Sequence, residues 1–404
     1  MTGPLNGLRL FDLTRILAGP TCTQILGDLG CEVIKVERPG SGDDTRKFGP
    51  PFLNDDAGHE TTESGYFLGL NRNKRSITLD LTKPEGQDLA RRLIAKCDIL
   101  VENFKTGGLS KYGLSYDQLK GANPALVYCS ITGFGQTGPY AERPGYDVLI
   151  QAMSGLMSIT GEPDGEPQKS GVPVSDLMSG MYAAVGICAA LRHREVTGQG
   201  QHIDIGMLDA SVATLSMQGL NYLTSGVPPP RYGNAHPNIV PYQVFATADG
   251  HMVLAIANDG QFDRFCEFAG VVELCKDERF CTNVERVRNR AALIPTLVGI
   301  IAAKPSRHWL EGLEACNVSS GPINTIDRVF DDPQVRSREM EITMAHPLTG
   351  SPVRLIGSPL KMSATPPSYD HPPPLLGEHT DAVLGEMLDL GVDDVAGLRE
   401  RGVI

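Results

Sequence analysis

The residue with the most evident chemical potential is Asp176, in the stretch Gly171-Val-Pro-Val-Ser-Asp176-Leu-Met-Ser-Gly180-Met-Tyr-Ala-Ala. A short Val-containing run ends at this aspartate and a segment rich in small residues, 177–196, begins after it, a pattern that predicts a strand-to-helix junction. Two roles are open to a carboxylate placed there. It can cap its own helix by accepting a bond from an orphan N–H of the first turn. It can also be a nucleophile, because the positive end of a helix is expected to keep it ionised and a partly desolvated carboxylate attacks carbonyl carbon. Gly180, Ala183, Ala184, Gly186 and Ala189 follow at helical spacing and leave one flank almost bare, so a backbone or a ligand can approach closely.

A second set of residues could hold an anion. Arg38 follows directly on a strand that ends at Glu37, and Asn71-Arg-Asn-Lys-Arg75 gathers three cations and two amides just before a strand expected over 76–81. Each is either a solvated surface charge or a phosphate clamp at the mouth of a strand. Thr132-Gly-Phe-Gly-Gln136-Thr-Gly-Pro139 carries three glycines around Phe134 and Gln136, which suits a backbone bent towards a ligand or merely a tight turn. The loop after the first strand, Thr14-Arg-Ile-Leu-Ala-Gly19, lacks the G-x-G-x-x-G that brings a backbone to a pyrophosphate, so no nicotinamide dinucleotide is expected despite Glu37. None of the nine histidines has a partner at metal-ligand spacing, and no metal site is expected.

These residues must be positioned by an alternating α/β chain. Strands read over 8–13 and 32–37 flank a helix over 20–29, with Pro20 in its first turn and Gly30 just beyond its end. Further strands read over 76–81, 99–103, 125–131 and 202–205, with helices over 84–96, 145–157 and 177–196 between them. Counting the run into Asp176, some seven strands are expected in one large α/β domain with a parallel sheet. The character changes at Ser225-Gly-Val-Pro-Pro-Pro-Arg231, and Asp249-Gly250 between two apolar runs signals a hairpin in a second, smaller α+β domain. A stretch over 55–64 reads as an exposed loop, 342–356 as a hairpin and 380–388 as a final helix.

Composition narrows the partners. With 404 residues the chain is long enough for two cores. Its 36 basic and 48 acidic residues give a net charge of -12, which argues against nucleic acid or an anionic membrane as partner, so an anionic ligand must be met by local groups. Nine scattered cysteines without a C-x-x-C pair read as reduced thiols, no run of about 18 apolar residues is evident, and a cytoplasmic location is expected.

Taken together the chain resembles the class III, CaiB/BaiF-type coenzyme A transferases. The resemblance spans almost the whole sequence and rests on Asp12-Leu-Thr-Arg-Ile-Leu-Ala-Gly-Pro20, Val33-Ile-Lys-Val-Glu-Arg38-Pro-Gly-Ser-Gly-Asp43, Asn73-Lys-Arg-Ser-Ile77, Val101-Glu-Asn-Phe104, Val174-Ser-Asp176-Leu-Met-Ser-Gly180 and Pro374-Leu-Leu-Gly-Glu-His-Thr380. Within the family it is most similar to the succinate (hydroxymethyl)glutarate CoA-transferase branch, through Cys129–Pro139, Ser154–Gly161 and Ile239–Gln243. The resemblance implies a large Rossmann-like domain built from both chain ends (1–224 and 326–404), a small inserted domain (225–325), and two subunits interlocked as a homodimer. It implies no permanently bound cofactor, with CoA thioesters as substrates. Asp176 would form an anhydride with the acyl group and then an aspartyl-CoA thioester, while Ala18, Arg38, Asn73, Lys74, Arg75, Asn103, Phe104 and Lys111 would contact CoA.

The expected reaction moves CoA from a donor such as succinyl-CoA to a dicarboxylate acceptor: glutarate, hydroxymethylglutarate, itaconate, malate or similar. Gln136 stands near a glutamate of the formyl-CoA transferases, and Arg46, Arg72 or His236 would meet the acceptor's far carboxylate. Related racemases carry Gly-His-Asp where this chain has Gly145-Tyr146-Asp147, and a phenol is a poor base at neutral pH. An α-methylacyl-CoA racemase-like epimerase stays as one alternative, and an acyl-CoA-binding protein without turnover, if Asp176 is only a cap, as the other.

Overall fold

The computed structural model describes residues 3–404. Six strands, β1 (Arg9–Leu13), β2 (Glu32–Glu37), β3 (Lys74–Thr78), β4 (Ile99–Glu102), β5 (Val127–Thr132) and β6 (His202–Gly206), form one sheet in the order β3-β2-β1-β4-β5-β6. Every neighbouring pair is parallel. This is the doubly wound order, and its switch point lies between β1 and β4, where the chain leaves the sheet in opposite directions and opens a crevice at the strands' carboxyl ends.

The central strands β1, β4 and β5 are buried almost throughout because both faces of the sheet are covered. Leu10, Val33, Ile99, Val101, Val127 and Cys129 point to one face and pack with residues of α1 (Ala18–Asp28) and of the long helix Val174–Thr197. Phe11, Ile34, Ile77, Leu100 and Tyr128 point to the other, against α3 (Pro84–Ile94) and the helices Thr380–Leu388 and Val392–Glu400. Shorter helices α2 (Gly65–Leu68), α4 (Asp147–Met153) and α6 (Met207–Ala213) flank the long α5 (Val174–Thr197) or the loops of the sheet.

Three expectations are corrected. The sheet has six strands, because the run before Asp176 is not a strand: Pro173 occupies the N-cap position, its ring fixes φ, and helix α5 has begun by Val174. The polar stretch read as a loop contributes a small hairpin, Phe52–Asn54 with Glu60–Ser64. Helix α5 is long and apolar enough to cross a bilayer by length and composition, which the sequence reading overlooked; here it packs against α1, β5 and β6.

The chain divides into two compact units. The first comprises the chain up to Gly155, Ser170–Thr214 and Pro333–Ile404. The second comprises Leu156–Lys169 and Leu215–Asp332, so that 156–169, 215–224 and 326–332 fall on the other side of the expected limits. It holds an antiparallel sheet of Tyr242–Ala246, His251–Ala255 and Ser319–Pro322, with Phe245, Leu254, Phe262, Phe265, Leu297 and Trp309 in its core.

Candidate active site

Two adjoining cavities occupy the crevice at the switch point. One, of about 300 Å³, is lined by the loop after β1, by Glu37 and Arg38 after β2, by Leu79, Asp80, Leu81 and Thr82 after β3, and by Phe104 and Tyr112. The other, of about 190 Å³, runs past Ala18, Asn103, Lys105, Thr132 and Arg143 and contains Asp147 and Asp176. Arg15, Asp44 and Phe104 line both, so a continuous groove leads from the ends of β2 and β3 to Asp176.

The groove's walls are pinned. The amide of Asn103 donates to the carbonyl of Arg15 at 2.7 Å and accepts from its N–H at 3.1 Å, tying the loop after β4 to the loop after β1 across the switch point. Ile16, in that loop, holds φ at 72°, a left-handed conformation that is strained for a β-branched residue. Its N–H is held by Asp43 at 3.2 Å, and Asp43 is in turn paired with the buried Lys35 at 2.9 Å. Phe104 is set by its N–H, which donates to the buried Glu102 at 2.7 Å.

Asp176 stands at the third position of α5, and it does not cap that helix. The N–H groups of Ser175 and Asp176 are instead taken by the carboxylate of Asp147, at 2.9 and 3.3 Å. The Asp176 carboxylate accepts from the N–H of Ala18, the first residue of α1, so it meets the orphan donor of a different helix. Two glycine contacts allow this. A Cβ on Gly180 would stand 2.5 Å from the Ala18 carbonyl oxygen, and α1 and α5 approach through that gap. Gly133 and Gly145 cross so closely that a Cβ on either would lie within 2.5 Å of the other's Cα, which brings the Asp147 turn onto the end of β5.

The electrostatics reverse one expectation. Burial first, and then the charge of Asp147, push Asp176 up to about 7, against the lowering effect of the Ala18 N–H. The helix end alone does not keep it ionised. Tyr66, at the start of α2, was not singled out from the sequence; its phenol is pushed up to about 12 by burial and by the charges of Asp176, Asp147 and Asp43, which locates it beside the nucleophile candidate. A lone tyrosine beside Phe67 and Leu68 gives no sequence signal of this.

The sequence-selected residues divide sharply. Ala18, Asn103 and Phe104 line the groove, Arg38 is exposed at its rim, and exposed Lys111 lies 4.7 Å from the ring of Tyr112, a groove residue. The cluster 72–75 is elsewhere. It spans the start of β3, and in a parallel sheet the strand starts lie at the edge opposite the crevice. Arg72 is buried against Asp28 at 2.6 Å. The Asn73 amide binds Asp28 and the backbone of 368–371. Lys74, 0% exposed, reaches Asp12 and the Pro20 carbonyl, and Arg75 is shared between Glu32 and Glu386. The groove uses the other end of β3, residues Leu79 to Thr82, which the sequence reading missed.

Arg46 is likewise structural: it is clamped by Glu37 and Glu63 and lies over the ring of Phe67. Neither buried arginine is free to meet a carboxylate ligand in this arrangement. Gln136 donates its backbone N–H to Asp204, and its side-chain Nε2 is buried without a partner. His236 belongs to the second unit, where it lies against Tyr242 with ring centroids 5.2 Å apart. Among the described residues no group of three or more His, Cys, Asp or Glu is disposed to hold a metal.

This geometry can be set beside known proteins. The profile described as CoA-transferase family III matches residues 5–380. The chain is 49% identical over 384 residues, 95% of its length and 96% of the relative's, to a succinate–glutarate CoA-transferase of Agrobacterium fabrum. It is 44% identical to a succinyl-CoA:glutarate CoA-transferase of Mus musculus, covering 99% of this chain and 90% of that one. The crystal structure of a CAIB/BAIF family protein from Brucella suis matches with a TM-score of 0.83 and 48% identity, over 96% of this chain and 100% of that chain.

Proposed function

Because the chain belongs to CoA-transferase family III, we propose that it transfers CoA from succinyl-CoA to glutarate, or to a dicarboxylate close to it, with Asp176 as the covalent nucleophile. The names of its relatives support this substrate pair. One structural observation carries the role of Asp176: its carboxylate lines the groove while Asp147 satisfies the helix end it would otherwise cap.

The adenine and phosphates would occupy the cavity at Arg38 and Leu79–Thr82, with Lys111 near its mouth, and pantetheine would pass Phe104 and Ala18 towards Asp176. An Asp176 oxygen then attacks the succinyl thioester carbon and expels CoA thiolate, leaving a succinyl-aspartyl anhydride. The thiolate returns to the aspartyl carbonyl, succinate leaves, and an aspartyl-CoA thioester remains. Glutarate attacks that carbonyl and releases the thiolate again, which takes the glutaryl group from the second anhydride and restores the carboxylate. Thioester and anhydride are close in acyl-transfer potential, so the sequence needs no ATP but must exclude water. Arg15, Lys105 and Arg143 are the cations of the Asp176 cavity and replace Arg46 and Arg72 as candidates for the acceptor's far carboxylate.

A homodimer is part of the same reading. Helix α5 exposes Met181, Tyr182, Val185 and Val196, and α4 exposes Val148, Leu149 and Met153, apolar surface that an interlocked partner would cover. The nine cysteines are unpaired, which fits a cytoplasmic location. The test is chemical. The protein is incubated with succinyl-CoA, quenched, and searched by intact mass for a hydroxylamine-labile, borohydride-reducible adduct on Asp176. Absence of the adduct, or full turnover by Asp176→Ala, overturns the assignment.

A further inference from the structure

Helix α5 begins at Pro173, which has no side-chain acceptor, so its first N–H groups would be orphans without help from elsewhere. Short polar residues that start a helix ordinarily provide that help themselves, and Ser175 and Asp176 are the ones at hand. Neither does. The Ser175 hydroxyl accepts from Ser211 at 2.9 Å, and the Asp176 carboxylate faces Ala18. The acceptor comes from α4, where Asp147 Oδ1 takes both N–H groups.

Asp147 is itself fixed. Its Oδ2 accepts from Gln151 Nε2 at 2.6 Å, and Gln151, almost fully buried, accepts from the Ser170 N–H at 2.9 Å, just ahead of α5. The crossing of Gly133 and Gly145 sets the start of α4 at this height. Four segments therefore meet to deliver one carboxylate to the end of a helix that carries another.

Resting on the nucleophile reading above, we propose that Asp147 is a positioning residue: by capping α5 in place of Asp176 it leaves the Asp176 carboxylate free to attack, and it sets a second anion in the same cavity. Anion against anion is unfavourable at rest. It is useful to a nucleophile that must attack a thioester, because a more basic carboxylate is a stronger one, and forming the anhydride removes the repulsion by neutralising Asp176. Burial and the Asp147 charge both act on Asp176 in this direction. The other groups facing the site are Tyr66 from α2 and, around the same cavity, Arg15 and Asp44 from the loops after β1 and β2 and Lys105, Arg143 and Tyr146 from the loops after β4 and β5. It is Asp147 that bonds to the backbone carrying Asp176.

The two effects separate by substitution. Asp147→Asn keeps an oxygen acceptor and removes the charge; Asp147→Ala removes both. With succinyl-CoA and glutarate, Asp147→Asn is expected to move the acid limb of kcat/KM down by roughly one pH unit while kcat at pH 8 falls less than about tenfold. Asp147→Ala is expected to lose considerably more kcat, roughly a hundredfold, with the Kd for free CoA within about twofold of wild type. An unmoved acid limb in Asp147→Asn overturns the charge role, and equal kcat losses in the two variants overturn the capping role. If Asp147→Ala does not fold, Asp147→Ser, a capping residue without charge, takes its place and must behave as Asn does. A wild-type enzyme that transfers no CoA and forms no adduct overturns the nucleophile reading instead, and this proposal with it.

Discussion

A Cβ on residue 180 would lie 2.5 Å from the carbonyl oxygen of Ala18, too close for any side chain and cured only by moving a backbone. Gly180 thus sets how near α5 comes to α1, and with it the reach of the Ala18 N–H to Asp176. Gly180→Ala is expected to cost ~1–3 kcal/mol of stability and to lower kcat well beyond what the loss of folded protein explains. Denaturant midpoints alongside turnover per folded molecule check this, and an Ala variant with wild-type values of both would show the contact to be slack.

The protonation of Asp176 links activity and stability in opposite directions. In the free enzyme Asp176, the proposed nucleophile, ionises near pH 7, so kcat/KM should rise through that pH and level off above it. For stability, the folded value is raised above the unfolded value of about 4, so the favourable contribution is complete below pH 4 and is lost as pH rises through 7. Asp176→Asn should therefore be more stable than wild type at pH 8, by ~1–3 kcal/mol, and no more stable at pH 4. Thermal melts of the two proteins at both pH values decide the matter.

Cations inside and outside the groove should fail differently. Arg38→Ala, at the rim, is expected to raise KM for succinyl-CoA several-fold while leaving kcat and stability nearly unchanged. Arg72→Ala strands buried Asp28, and Arg46→Ala strands Glu37 and Glu63; each should cost about 3–5 kcal/mol. A soluble, stable Arg72→Ala enzyme with only a raised KM would restore Arg72 to the binding site.

Phe104 lines both cavities at their junction, where its backbone is anchored to Glu102. Phe104→Ala should weaken the binding of CoA by roughly 3–10-fold through lost ring contact. Equal affinity for CoA in the variant, measured by calorimetry, would place the thioester arm elsewhere.

Much of this was legible in the chain itself. The βαβ start, the helix over 380–388 and the prominence of Asp176 follow from local periodicity, turn residues and a small-residue flank, all of which lie within a few residues of the feature they predict. What was not legible depends on partners far along the chain. Arg72 looks like a phosphate ligand until Asp28 and the carbonyl of Ile356, 284 residues away, are seen to occupy it. Asp176 is pushed up first by burial and then by an aspartate 29 residues earlier, and no local pattern announces either. The cluster 72–75 reads as a clamp at a strand mouth, but it lies at the amino end of β3, whereas the crevice of a parallel sheet opens at the carboxyl ends.

The buried amide of Asn73 has a consequence for biosynthesis. It holds the backbone of residues 368, 370 and 371, while the N–H of Asp80 is bonded to the carbonyl of Val403. The edge strand between them is synthesised well before its partners, which emerge 295 to 323 residues later. The nascent chain must carry this flank of the sheet unfinished, open to chaperones and proteases, until those distant segments emerge. A chain cut short before residue 368 would then leave the β3 edge without the partners that hold it.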